Sequence, residues 1–151
     1  IWQGNDFLKA NAESVFLATL RSLDDFESEL SKENWSRLIE IKEAVNQSIE
    51  ESRNEGIIKG SLDATIDLIL NADDFQLINK FASEIHFFFI VSECIISEGE
   101  ALKVSVKKLD EAKCVRCWHR HKSVGSSKLH PELCYRCEQN IDGPGEDRQF
   151  A

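Results

Sequence analysis

Methionine is absent from the 151-residue chain, and proline and glycine are scarce, with two and seven residues respectively. So little proline and glycine argues against a long disordered linker. No apolar run reaches the roughly 18–20 uncharged residues of a membrane-spanning helix, because the longest, IHFFFIVSECII, contains Glu93. The first residues, IWQGNDFLKA, lack the basic segment and apolar core of a signal peptide. We therefore expect a chain outside the membrane, cut or processed from a longer protein.

Acidic residues outnumber basic ones, but the two signs are unevenly distributed along the chain. The net charge is −9. Residues 1–111 contain 11 Lys and Arg against 22 Asp and Glu, whereas residues 113–137 contain six basic residues against Glu132 alone. Opposite charges on two parts of a chain indicate that the basic part binds an anion, and nucleic acid is the usual candidate. The alternative is a small domain that is basic without binding nucleic acid.

Residues 34–55 show the clearest helical pattern in the chain. Their apolar side chains recur mostly at three- and four-residue steps, at Trp35, Leu38, Ile39, Ala44, Val45 and Ile49. Gly56 is well placed to end this helix. A second helix is predicted from Ser61 to about Leu70. Its inward-facing residues would be Leu62, Ile66, Ile69 and Leu70. A third helix is predicted after Ala72, with Asp73 or Asp74 as its N-cap.

The hydrophobic period changes near residue 86. The continuous run HFFFIVSECII is rich in β-branched and aromatic residues and predicts a buried strand. After the turn SEGE, the segment ALKVSVKKL alternates between apolar and polar residues, which is typical of a half-buried strand. Together the two segments predict a β-hairpin. The expected fold class is therefore α+β, with a helical bundle portion at 1–84, a β-hairpin connecting region at 85–111 and a cysteine-rich module at 112–151.

Four cysteines, Cys114, Cys117, Cys134 and Cys137, follow the spacing C-x2-C-x16-C-x2-C. Two residues between paired cysteines allow a tight turn to aim both sulfurs at one ion about 2.3 Å away, and two such turns complete a tetrahedron. The spacing predicts one structural Zn²⁺, which would supply much of the folding free energy of this module. Two disulfides and an iron–sulfur centre are the alternatives.

The fifth cysteine and three histidines are weaker candidates for metal binding. Cys94 is flanked by apolar residues and is predicted to be a small buried hydrophobic residue. His119, His121 and His130 are able to replace a sulfur in principle, but four cysteines already fill a tetrahedron. A site closed by four sulfurs leaves no position for water or substrate, so we expect it not to be catalytic.

The basic and aromatic residues near the cysteines are candidates for nucleic-acid binding. Arg116 and Arg136 each precede the second cysteine of a pair, where they either offset the negative charge of the thiolates or contact phosphate. The predicted nucleic-acid contacts farther from the sulfurs are Arg120, Lys122 and Lys128. Trp118 either covers the metal or stacks on a base.

These motifs resemble a known family. The runs KCVRCWH, VG, HPELCYRCEQNI and GPGEDRQFA resemble the C-terminal zinc finger of bacterial-type isoleucyl-tRNA synthetases. Upstream, IW at the start, SVFL at 14–17, the Trp35 helix and GSLDATIDL at 60–68 resemble the end of the helical anticodon-binding domain, and EALKVSVKK fits the same family. The resemblance covers nearly the whole chain and is most specific from Lys113 to Ala151.

The resemblance implies a parent enzyme that uses ATP to charge tRNA(Ile) with isoleucine. Its catalytic and editing domains would lie upstream, because the signature motifs His-Ile-Gly-His and Lys-Met-Ser-Lys-Ser are absent here. The four paired cysteines would be zinc ligands, and this part would hold the anticodon side of the tRNA without doing chemistry itself. The implied protein is cytoplasmic, or alternatively organellar, and is expected to be a monomer.

Two other functions compete with this one. A formamidopyrimidine-type DNA glycosylase carries a C-terminal zinc finger with similar cysteine spacing, which would grip duplex DNA. A zinc-stabilised protein-interaction module would bind no nucleic acid. The Trp and His after the first cysteine pair and the GPGEDRQFA end favour the synthetase over the glycosylase.

Overall fold

The computed structural model describes residues 30–146, 148 and 149. The described residues from 31 onward group into one compact unit. The resemblance noted at Ile1-Trp2 and at residues 14–17 lies outside the described residues. Among the described helices, none combines the length and the apolar character that a bilayer crossing requires.

The helix predicted at residues 34–55 is confirmed as α1, Lys32–Asn54. Ser31 caps its start, because its side chain accepts a hydrogen bond from the Asn34 backbone N–H at 3.1 Å. Gly56 follows its end in the left-handed conformation, with a φ of 76°. Its buried apolar face consists of Leu38, Ile41 and Val45.

Two residues that the periodicity assigned to the inner face of α1 are exposed. Trp35 and Ile39 are 45% and 46% exposed, whereas Ile41 and Val45 are fully buried. At 100° per residue, Trp35 and Ile39 lie roughly 90° and 130° from the centre of the buried face. The prediction of an inward Trp35 and Ile39 was therefore wrong, because the apolar residues of α1 form a wider stripe than its neighbours cover.

The second predicted helix is a strand. Ser61–Asp63 forms one 3-10 turn, and Ala64–Leu70 forms strand β1. Ile66, Leu68 and Leu70 are all fully buried, which is a two-residue period rather than a helical one. The helix prediction was wrong because Ile66 and Leu70 satisfy both periods, while the β-branched Thr65, Ile66 and Ile69 favour the strand.

Helix α2, Ala72–Asn79, begins where the third helix was predicted. Its N-cap is Asn71 rather than Asp73 or Asp74, because the Asn71 side chain accepts a hydrogen bond from the Asp74 backbone N–H at 2.9 Å. The Asp74 carboxylate is thereby free to pair with Arg37 of α1, which donates from Nε at 2.8 Å and from Nη2 at 2.7 Å. The pair joins the two helices.

The run predicted as one buried strand contains a helix and a strand. Helix α3 spans Ile85–Phe89 and ends at Ile90, which is left-handed with a φ of 57°. Strand β2 then spans Glu93–Glu98. Ile85 and Phe89 are four residues apart and both buried, at 2% and 1% exposure, as expected for one helical face. The left-handed turn at Ile90 separates the helix from the strand. The sequence does not show this boundary, because its apolar residues continue through it.

The three strands form one sheet with β1 at its centre. Strand β3 spans Lys103–Lys108, and the strand order is β2-β1-β3. β1 runs parallel to β2 and antiparallel to β3. The predicted hairpin was wrong, because β1 lies between its two strands. α1 packs on β3, and α2 packs on β1 and β2. The α+β class is confirmed. The predicted domain boundary between residues 84 and 85 stays a prediction, and the sheet contains strands from both sides of it.

The Arg37–Asp74 pair predicts a pH-dependent contribution to stability. The Arg37 guanidinium holds the pKa of Asp74 below its usual range. A lowered carboxyl pKa stabilises the fold above the unfolded value of about 4 and loses this effect as pH falls through the folded value. We expect Asp74→Asn to lower the free energy of unfolding by about 1–2 kcal/mol at pH 7, a modest effect because Arg37 is partly exposed.

Urea denaturation of wild type and Asp74→Asn between pH 7 and pH 2 measures this effect. The difference in the free energy of unfolding between wild type and variant should become smaller as the pH falls. Asp73→Asn is the matched control, because Asp73 is exposed and lies one residue away. A constant difference across the pH range would contradict the assigned role of the Asp74 carboxylate.

Candidate metal centre

The two cysteine pairs stand at the ends of local elements that lie side by side. The first pair, Cys114 and Cys117, forms a tight turn in which Trp118 N–H donates to Cys114 O at 2.9 Å. An isolated bridge between Lys113 and Arg120 closes this turn. The second pair begins helix α4, Tyr135–Asp142, which Cys134 precedes as N-cap. We call residues 112–149 the finger.

The four sulfur atoms form one compact donor set. All lie within 4.8 Å of one another, and the Sγ atoms of Cys117 and Cys134 are 3.6 Å apart. A tetrahedral Zn²⁺ with bonds of about 2.3 Å separates its sulfurs by about 3.8 Å. The five cysteines are free thiols, so the disulfide alternative is not supported. The donor set fits one zinc ion, and a closed set of four sulfurs fits a structural role.

Burial and hydrogen bonds shift the pKa values of the cysteine thiols in different directions. Burial raises the pKa of Cys134 to about 12 and also raises that of Cys137. Burial would raise the pKa of Cys114 too, but backbone hydrogen bonds from residues 116, 117 and 134 outweigh it and lower that pKa to about 6. Buried thiols with pKa values this high require a cation to remain ionised at neutral pH, and Zn²⁺ supplies that charge when bound.

The apolar core of the finger is small. Leu133, with 6% exposure, packs with the cysteines, and the partly buried Val124 joins them. The largest fully buried apolar side chains, such as Phe89, Ile41 and Ile66, belong to the sheet and its helices and not to the finger. The finger therefore depends on metal–sulfur bonds for most of its stability.

The other candidate ligands stand outside the sulfur cluster. His119 and His121 make local hydrogen bonds with Cys117 O and Ser123 Oγ respectively, and His130 pairs with Asp142. Cys94 lies on β2, where burial raises its pKa to about 12. Within the described part of the chain, the one group of side chains able to hold a metal is the four cysteines.

Arg120 is placed differently from its predicted role as a nucleic-acid contact. Its side chain is 24% exposed, and its Nε donates to Asp63 Oδ1 at 2.7 Å. Its Nη1 donates to Glu111 O at 2.9 Å. A guanidinium paired this closely with a carboxylate offers little net charge to phosphate. In the structure Arg120 joins the finger to the sheet, and its contact with nucleic acid stays a prediction.

The two arginines that precede cysteines have different environments. Arg116 donates from Nη1 to Cys137 Sγ at 3.6 Å while the residue stays exposed, so it offsets thiolate charge and also faces solvent. Arg136 donates from Nη1 to both oxygens of Glu146 at 3.3 Å and lies over the Phe87 ring, 5.0 Å from its centroid. Arg136 also interacts with the Cys117 thiol, so its contacts are consistent with the charge-offset alternative, and phosphate contact stays a prediction.

The remaining predicted contacts face solvent. Lys122 and Lys128 are exposed, and neither forms an ion pair with another described residue. Trp118 is 61% exposed and takes a left-handed conformation, with a φ of 65°. Such a conformation costs roughly 1–2 kcal/mol for a residue with a side chain. Most of the Trp118 surface is open to solvent, with Lys113 Nζ 5.5 Å from the ring centroid, and stacking on a base stays a prediction.

Sequence reasoning missed the contacts that fasten the end of the finger to α3. The Arg148 guanidinium lies 4.1 Å from the centroid of Phe87, on which Arg136 also packs. Gln149 N–H donates to Glu84 Oε1 at 2.7 Å. Nothing local in the sequence signals these contacts, because the partners are more than 60 residues apart.

Comparison with known proteins identifies relatives of both the finger and the chain. Residues 112–140 match the family described as the zinc finger found in FPG and IleRS. An isoleucine–tRNA ligase of Dichelobacter nodosus is 42% identical over 92% of this chain. Those of Hahella chejuensis and Pseudoalteromonas atlantica are 36% and 32% identical over 93% and 99% of it. The chain spans 15%, 17% and 17% of the lengths of these three relatives.

Proposed function

We propose that this chain, which belongs to the isoleucine–tRNA ligase family as a segment of a longer protein, is the tRNA-binding C-terminal part of an isoleucine–tRNA ligase. The observation that carries the proposal is the four-sulfur cluster inside the matched finger, beside exposed cations and an exposed tryptophan. In this proposal the rest of the enzyme uses ATP to charge tRNA(Ile), and this segment holds the tRNA. The enzyme would work as a cytoplasmic monomer.

The finger supplies a rigid surface rather than chemistry. Cys114, Cys117, Cys134 and Cys137 would hold one Zn²⁺, and a bound ion with four sulfur ligands has no position for a substrate. Lys122 and Lys128 are free to contact phosphate, and the open ring of Trp118 offers a stacking surface for an unpaired base. Arg116 combines a hydrogen bond to a ligand sulfur with an exposed side chain, so it is the arginine best placed for the RNA.

The acidic residues outside the finger restrict how a tRNA can approach the finger. Residues outside the finger carry an excess of carboxylates, which repel a polyanion. A tRNA held by this segment therefore has to meet the finger in a restricted orientation. Such an arrangement fits an enzyme that must bring the distant acceptor end to another domain.

Removal of two finger lysines tests the proposal. In the full-length ligase that contains this chain, we expect Lys122→Ala with Lys128→Ala to weaken tRNA(Ile) binding and to reduce the slope of log K against log salt by about two, one for each phosphate contact. Filter binding over a salt series measures both quantities. The control is Lys32→Ala with Lys80→Ala, which removes the same charge from two exposed positions at helix ends, the first residue of α1 and the residue after α2.

Non-cognate tRNA and a DNA duplex serve as competing ligands. Preference for tRNA(Ile), lost with the finger lysines and kept in the control, supports the proposal. Equal or tighter binding of the DNA duplex would support the glycosylase alternative instead. Absence of binding to every nucleic acid would leave the protein-interaction module, and both of these outcomes overturn the proposal.

A further inference from the structure

The three strands of the sheet converge at the end that faces the finger. Asp63 directly precedes β1, Ser92 directly precedes β2, and Leu109 directly follows β3. The register brings these ends together, since Leu109 N–H donates to Asp63 O at 2.8 Å and Ser92 N–H donates to Ala64 O at 3.1 Å. One end of the sheet therefore presents a carboxylate and a hydroxyl side by side.

A single finger residue binds the starts of β1 and β2 and the segment that follows β3. Arg120 donates from Nε to Asp63 Oδ1 at 2.7 Å, from its backbone N–H to Ser92 Oγ at 2.8 Å, and from Nη1 to Glu111 O at 2.9 Å. Ser92 Oγ donates in turn to Leu62 O at 2.6 Å. Three separate donors of Arg120 are therefore held by three different segments, which fixes the direction of the joint.

The same residue is coupled closely to the metal centre. Arg120 pairs with Lys113 in the bridge that closes the first cysteine turn. Cys114 N–H donates to His119 O at 2.9 Å, directly beside it. The side chains of Arg120 and Asp63 are only 24% and 15% exposed. A change in the Asp63–Arg120 pair therefore alters how the whole first turn is oriented on the sheet.

The geometry points to Asp63 and Arg120 as positioning residues that fix the angle at which the finger meets the tRNA. This inference rests on the proposed function. It has an unusual consequence: an acidic side chain that does not touch the polyanion is required for binding it. Direct phosphate contact by Arg120 gives the opposite expectation for Asp63, because removal of a competing carboxylate would free the guanidinium and strengthen binding.

Asp63→Asn and Arg120→Gln in the full-length ligase distinguish the two roles. We expect each to weaken tRNA(Ile) binding by about 3- to 30-fold, the usual range for residues that act on a site without touching the ligand. The salt dependence should keep the wild-type slope, because no phosphate contact is lost. The double variant should bind no more weakly than the weaker single variant, since both remove one joint.

Kinetics separate positioning from a general loss of structure. Isoleucine-dependent exchange between ATP and pyrophosphate needs no tRNA, so its rate should stay at the wild-type value while the KM for tRNA(Ile) rises. Zinc content should remain one per chain. Asp67→Asn is the matched control: Asp67 is a strand carboxylate paired with Lys107 on the same sheet, away from the finger, and its loss should leave tRNA affinity unchanged or slightly higher.

The results of these experiments distinguish failure of the positioning role from failure of the proposed function. Unchanged or tighter binding in Asp63→Asn, with weaker binding and a slope reduced by about one in Arg120→Gln, makes Arg120 a direct contact and overturns the inference. Loss of zinc or of pyrophosphate exchange in both single variants also overturns it, because the pair would then be structural. Wild-type enzyme that does not bind tRNA(Ile) through the finger overturns the proposed function together with the inference.

Discussion

Replacement of Cys134 by serine is expected to abolish tight zinc binding and to unfold the finger, while α1 and the sheet keep their structure. Structural zinc sites contribute roughly 10–16 kcal/mol of apparent binding free energy at pH 7, which exceeds the stability of most whole domains. Cys134 is 4% exposed and lies 3.6 Å from the Cys117 sulfur. A serine hydroxyl is a poor zinc ligand, so the tetrahedron would lose one corner.

The effect on the finger is large because the finger has little apolar core of its own. Leu133 and the partly buried Val124 are the main apolar side chains around the sulfurs. In contrast, the sheet and helices bury residues such as Ile41, Ile66 and Phe89 without help from the metal. Loss of zinc should therefore affect the two parts unequally.

Atomic absorption and limited proteolysis measure the two expected results. Zinc stoichiometry should fall from one per chain to near zero in Cys134→Ser, and protease should cut within residues 112–149 while far-ultraviolet circular dichroism keeps most of its helical signal. Cys94→Ala is the matched control, because Cys94 lies on β2 and away from the sulfur cluster. Retention of one zinc per chain in Cys134→Ser would falsify the ligand assignment.

Replacement of Leu68 by alanine is expected to destabilise the sheet by about 2–5 kcal/mol, the usual cost of deleting a fully buried leucine side chain. Leu68 is 0% exposed at the centre of β1, paired with both Ile96 and Val104. Its removal leaves a cavity between the central strand and the helices that cover it. Zinc content should not change, because Leu68 is not part of the finger.

Ile69→Ala is the matched control for Leu68→Ala, and the comparison tests the secondary structure itself. Ile69 points to the opposite face of β1 and is only partly buried, so its loss should cost no more than about 1–2 kcal/mol. A helix over residues 61–70 makes Ile69 inward and Leu68 outward, which reverses the order. Urea denaturation followed by circular dichroism gives both values, and a larger effect at Ile69 would contradict the strand.

The metal centre was predictable from sequence because its information is local. The four cysteines lie within 24 residues, and each pair needs only a tight turn to direct two sulfurs toward one point. α1 was predictable for the same reason, since its periodic apolar residues, including Leu38 and Val45, and the Gly56 stop lie in one short segment. Short segments with their own capping and turn residues fix their structure without distant partners.

The sheet was not predictable because its information is distant. Residues 61–70 satisfy a helical and a strand period equally well, and the choice depends on partners at residues 93–98 and 103–108. The role of Arg120 was hidden for a similar reason. Its guanidinium is basic and near the cysteines in sequence, but its partner Asp63 lies 57 residues away.

The finger is fastened to the rest of the chain at both of its ends. It enters beside β3 through Arg120 and leaves along Phe87 and Glu84 through Arg148 and Gln149. While these attachments are formed, the segment between Arg120 and Arg148 is a closed loop with fewer conformations than a free tail of equal length, so ordering it around the sulfurs loses less chain entropy. The ion therefore has to organise a closed loop rather than an open one, and a small set of sulfur ligands suffices for a module with so little apolar interior.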